Sequence, residues 1–109
     1  MTGYEILKKA LQRLGIKNEN NSLNLRAVEY INQISSDLNG GAIENLSDTL
    51  KGSPELCEAI TVGLVMLFSL TIGDTAANKI YTDLYNAKRA KLLSNSDTVT
   101  DKLPKGDSI

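Results

Sequence analysis

A chain of 109 residues, 41% of them hydrophobic, has the length for one domain with a single modest core and is too apolar to be disordered throughout. Its formal net charge of -1 gives no overall field toward nucleic acid or an anionic membrane, so any DNA contact has to be local. The absence of histidine removes the commonest general base, the commonest metal ligand and every imidazole-dependent triad, and a single cysteine excludes an internal disulfide framework.

The opening, MTGYEILKK, has an acidic residue at position five and no uninterrupted apolar run, so no secretory signal is expected and the site of synthesis is read as intracellular. Thr2 followed by Glu5 is the pattern of a capping box, in which each side chain takes a free amide of the other's turn. A first helix follows, with Tyr4, Leu7, Leu11 and Leu14 at three- and four-residue steps, and Gly15 stops it. Residues 16–22 form a polar, asparagine-rich connection. Leu25, Val28, Ile31, Ile34 and Leu38 then mark a second amphipathic helix, with Arg26, Glu29, Gln33 and Asp37 outside it.

Asn39, Gly40 and Gly41 break the pattern, and the segment to Gly52 reads as a loop anchored by Ile43, Leu46 and Leu50, with Ser47 and Asp48 suited to a local side-chain turn. Ser53, Pro54 and Glu55 form a start signal: a side-chain acceptor for free amides, a residue with φ already near helical, and a carboxylate at the positive dipole end. From Ala59 to Gly73 there is no charge, and the apolar residues point all round the helix, as in one buried on most sides. A bilayer span needs about 20 mostly apolar residues, and here Thr61, Gly63, Ser69 and Thr71 interrupt the run, which favours a central core helix over a membrane span. Gly63 inside it marks close approach of a neighbouring helix or subunit. Cys57 on its first turn is read as a small buried hydrophobe.

Gly73 supplies the left-handed stop and Asp74 the next cap. A fourth helix is expected to about Leu93, with Ala77, Ile80, Leu84, Ala87 and Tyr81 or Tyr85 facing inward. From Ser94 the composition turns to Ser, Asp, Thr, Lys, Pro and Gly, and residues 94–109 are expected to be a flexible C-terminal tail on a helical domain of residues 1–93. The fold class is all-α: a small bundle of about four helices around a buried third helix.

Chemistry is sparse. Gly40-Gly41 lacks the Gly-Lys-Ser/Thr of a phosphate loop, one cysteine without histidine builds no ordinary zinc site, and Glu55 with Glu58 is most simply a solvated first turn. The expectation is no enzyme, with no catalytic residue, cofactor or metal. Lys88, Arg89 and Lys91 complement the negative end of the helix dipole, and are also the residues for contact with DNA phosphates or an acidic partner. Tyr30, Tyr81 and Tyr85 read as packing residues with a wet hydroxyl rather than platforms for bases.

The segment LVMLFSLTIGDTAANKIYTDLYNAKRAKL carries a further pattern: a short apolar helix ending in Gly73-Asp74, then a helix with Leu84, Tyr85, Asn86, Lys88 and Arg89. It resembles the head-to-tail connector (adaptor, head-completion) proteins of tailed bacteriophages and prophages. The opening, Tyr4-Glu5-Ile6-Leu7 through Ala10, Leu11 and Arg13-Leu14-Gly15-Ile16, looks like their first helix. The resemblance runs to about Leu93 and is looser between Asn39 and Gly52.

The resemblance implies a structural protein of the virion neck, made in the bacterial host cytoplasm. Such a protein assembles under the portal after DNA packaging as a ring, dodecameric in the virion and monomeric when free. Its partners are the portal protein and a neck or tail-completion protein, with DNA at most passing through the channel and no membrane involved. Thr98, Val99 and Thr100 have strand propensity, so a tail adding a strand or arm to the portal is expected, and deleting residues 94–109 should weaken portal binding while sparing the fold. The alternative is a small helical DNA- or protein-binding regulatory module. Its recognition face would rest on Arg26, Asn32 and Gln33.

Overall fold

The computed structural model describes residues 1–17 and 21–100, with side chains from Ser22 to Ser94 in the second span. Four helices follow in order: α1 (Gly3–Arg13), α2 (Asn21–Asp37), α3 (Pro54–Ile72) and α4 (Thr75–Thr100). The protein is an all-α bundle in which α3 packs against each of the other three helices.

The local signals act as their chemistry dictates. Thr2 Oγ1 accepts from the Glu5 amide at 3.2 Å and Glu5 Oε1 accepts from the Thr2 amide at 2.8 Å, closing the capping box and holding the Glu5 carboxyl below its ordinary pKa. Ser53 Oγ accepts from the Leu56 amide at 3.1 Å, with Pro54 opening the helix behind it. Gly73 ends α3 at φ 76°, and Asp74 Oδ1 takes the Ala77 amide at 3.0 Å to start α4. Only two residues therefore separate α3 from α4.

By length and composition α3 could cross a membrane. In the bundle it is the core helix: Ile60, Val62, Leu64, Val65 and Phe68 are fully buried. Its polar residues return their hydroxyls to the helix itself, Thr61 to the Cys57 carbonyl at 2.9 Å and Ser69 to the Met66 carbonyl at 2.6 Å, so they enter the core without orphaned donors. Gly63 lies against α2, where an added Cβ would stand 2.7 Å from Ile34 Cγ2. That is the close approach expected of it. Cys57 is buried and free.

The segment between α2 and α3 is a loop pinned by Ile43 and Leu50, both buried, and half-buried Leu46. Asp48 folds it locally by accepting the Glu44 and Asn45 amides, each at 2.9 Å, and these bonds hold its carboxyl low. The loop also binds the start of α1: the Gly3 amide donates to Asp48 and the Tyr4 amide to Leu46.

Helix phases differ from the pattern reading in three places. On α1 the buried residues are Gly3, Ile6, Leu7 and Ala10, while Tyr4 is 60% exposed, because the loop covers the Gly3 side and leaves no room there for even a Cβ. On α2 the inner face starts from Leu23 and Ala27, and Leu25 is 86% exposed. On α4, Ile80, Leu84 and Ala87 face outward, and the inner face is Ala77, Asn78, Tyr81, Tyr85 and Leu92. α4 also passes the expected stop at Leu93 and continues to Thr100, since Ser, Asn, Asp and Thr weaken a helix by only a few tenths of a kcal/mol each and no glycine or proline intervenes before Pro104. The rest of the expected tail, residues 101–109, lies outside the described residues.

Candidate functional site

The motif residues from Gly73 to Arg89 gather on one structural unit, the α3–α4 hairpin and the end of α2 that it grips, while those of the opening lie on α1 and the turn after it. Asp37, the last residue of α2, accepts at a single oxygen, Oδ2, from the Tyr85 hydroxyl at 2.6 Å and from Arg89 Nε at 2.8 Å. The eleven-residue spacing that puts Asn78 and Arg89 on one side of α4 also brings Asn78 to α3, where its Nδ2 donates to the Met66 carbonyl at 3.0 Å and to Ser69 Oγ at 3.2 Å. Two polar clamps thus fix the rotation of α4. The hydrogen bond from Tyr85, together with Arg89, holds the Asp37 carboxyl below the usual carboxylate range. Burial, reinforced by the Asp37 charge, pushes the Tyr85 hydroxyl well above the ordinary tyrosine value.

Lys88 and Lys91 line a cleft of about 280 Å³ between α4 and the first turns of α3, with Pro54, Glu55, Glu58 and Leu92. Glu58 is held in turn by Arg13 of α1, whose Nη2 donates to both carboxylate oxygens at 2.8 and 2.9 Å. The three cations expected to meet DNA or an acidic partner therefore separate. Arg89 is committed to Asp37, while Lys88 and Lys91 share a cleft with two glutamates. A surface of alternating sign is a weak trap for phosphate and a better complement for a mixed-charge protein face.

Of the other candidates, Gly73 and Asp74 are the turn itself, Tyr85 is buried, and Asn86 is exposed. Leu84 is 39% exposed. Thr98, Val99 and Thr100 lie on the last turn of α4, so their backbone is helical and their strand propensity is not expressed here; their side chains are outside the described set. Sequence reasoning missed Asp37, read as a solvated residue on α2, and gave Asn32 an exposed recognition face that the structure does not give it. The Asn32 side chain pairs with the Ile43 backbone in both directions, Nδ2 donating to the carbonyl at 2.8 Å and Oδ1 accepting the amide at 2.9 Å. This commitment removes Asn32 from any base-reading face, leaving exposed Arg26 and Gln33.

A larger cleft of about 620 Å³ lies between α1 and the start of α2, lined by Tyr4, Leu11, Ile16 and Asn24 among others, and none of the α4 candidates lines it. Among the described residues no group of three or more Cys, Asp or Glu converges as metal ligands would. The chain matches no family model, no curated protein and no solved structure.

Proposed function

We propose that this chain is a structural protein of a tailed phage or prophage that forms a ring under the portal and joins head to tail after DNA packaging. The observation that carries the reading is the Gly73-Asp74 and Leu84-Tyr85-Asn86-x-Lys88-Arg89 pattern, which resembles the connector family. Its residues have a shared structural task that supports the reading: Gly73 and Asp74 set the hairpin, and Tyr85 and Arg89 close it onto α2. The result is a small rigid wedge of the kind that packs side by side. Leu70 and Ile72, 63% and 43% exposed at the hairpin turn, offer apolar surface to neighbours. The mixed-charge cleft at Lys88 and Lys91 favours protein neighbours over DNA as its contacts, and the reading involves no reaction.

The test is the mass of the purified protein in solution, alone and mixed with the portal ring encoded in the same genome. Formation of a large complex with the portal is the expected result. A chain that ignores the portal at concentrations well above those of a typical specific interface, about 1 µM, overturns the reading.

A further inference from the structure

We propose that the outer face of α4 pairs two copies of the free chain in an antiparallel, two-fold arrangement. The inference concerns the protein in isolation; it does not rest on the connector reading, and it departs from the monomeric free chain that the resemblance implies.

α4 carries two apolar stripes and the bundle uses one. Tyr81 and Tyr85 pack inward, while Ile80, Leu84 and Ala87 form an outer stripe at helical spacing, with Ile80 64% and Leu84 39% exposed and Ala87 open to solvent, and half-buried Ala77 continues that spacing at the edge of the inner face. A second stripe at core spacing is more than a solvated helix face requires. Its order is also self-complementary. The steps are three, four and three residues, and the sizes run small, large, large, small, so the stripe reads the same from either end about Thr82. A two-fold axis at that level sets Ile80 opposite Leu84 of the second copy and Ala77 opposite Ala87, large on large flanked by small on small.

Charge selects the direction. Lys79 and Asp83 stand one turn apart on the same flank of the stripe, both exposed, and neither makes an ion pair among the described residues. Antiparallel pairing brings the same flanks of the two helices together and sets Lys79 of each copy near Asp83 of the other. Parallel pairing sets this flank against the opposite one, which carries no carboxylate between Thr75 and Ser94. The eleven residues from Ala77 to Ala87 span only about 16 Å of helix, short of the roughly 800 Å² per partner of a stable interface, so the dimer is a weak, concentration-dependent one.

Sedimentation equilibrium of the full chain tests it. The mass is expected to rise from 11.8 kDa toward twice that value and level off between about 10 µM and 1 mM. Ile80→Glu, at an exposed site that leaves the helical spectrum unchanged, is expected to weaken association at least about tenfold. Asp83→Lys alone weakens it too, and the exchanged pair Lys79→Asp with Asp83→Lys restores it. A chain that stays monomeric through that range, or a dimer indifferent to Ile80→Glu, overturns the proposal. So does an exchanged pair no better than Asp83→Lys alone, or a mass that climbs past two copies, which indicates head-to-tail contact instead.

Discussion

Tyr85 is 4% exposed, yet its ring ends in a hydroxyl that reaches Asp37 at the surface. The residue combines a buried apolar body with a polar tip that sets the azimuth of α4. Tyr85→Phe keeps the body and removes the tip, and is expected to cost about 1 kcal/mol at neutral pH, the value for one hydrogen bond to a partly solvated carboxylate. The pH dependence has two limbs of opposite sign. Tyr85 has a raised pKa in the fold, so its contribution is complete below the unfolded value of about 10 and is lost as pH rises through the folded value. Asp37 has a lowered pKa, so its contribution is complete above about 4 and is lost as pH falls through the folded value. Urea unfolding of wild type and Tyr85→Phe should therefore differ at pH 7 and converge as pH rises past 10. A constant difference at all pH values would mean that the hydroxyl is not what the substitution removes.

At the scale of elements, the boundaries of α1, α3 and the start of α4 were legible because each is written locally: Thr2 with Glu5, Ser53 with Pro54, Gly73 with Asp74. Helix rotation was less so. Periodicity locates an apolar stripe but does not choose between two neighbouring stripes, and on α4 the choice fell to Asn78 and Tyr85, whose partners Met66 and Asp37 lie 12 and 48 residues away. On α2, Leu23 sits among asparagines at the edge of the polar connection, so local sequence does not mark it as the start of the inner face that it forms with Ala27 four residues on. The candidate site was legible as a set of residues and not as an arrangement, since the carboxylates that answer Arg89, Lys88 and Lys91 come from α2 and α3. Asn32 is the clearest case: its amide serves as a β-like partner for Ile43 and joins the loop to α2. Asn32→Leu should strand a part-buried carbonyl and amide, costing about 1–3 kcal/mol, with faster amide exchange across residues 41–50 and little change in α4. If Ile43 and its neighbours exchange no faster, the side chain is dispensable for holding the loop.

Because α1, α2 and α4 all pack on α3, the molecule has one core and should open as one unit. Cys57 and Phe68 test this from opposite ends of the helix. The thiol is 4% exposed on the first turns of α3, and Phe68, fully buried three turns later, packs a tilted ring 6.0 Å from that of Tyr30 on α2. A thiol reagent reaches Cys57 either by fraying of the helix start, which is independent of Phe68, or by opening of the whole core, which is not. The start of α3 has its Ser53 cap, its proline and the Arg13 to Glu58 bond from α1 to hold it, so fraying is disfavoured. Phe68→Leu removes a few buried carbons and should cost about 1–2 kcal/mol while keeping the fold. Labelling of Cys57 is then expected to accelerate about tenfold, matching the loss read from urea unfolding, because each 1.4 kcal/mol multiplies the open population by ten. Unchanged labelling in a variant with a lower urea midpoint would divide α3 into an N-terminal part that opens alone and a core that does not.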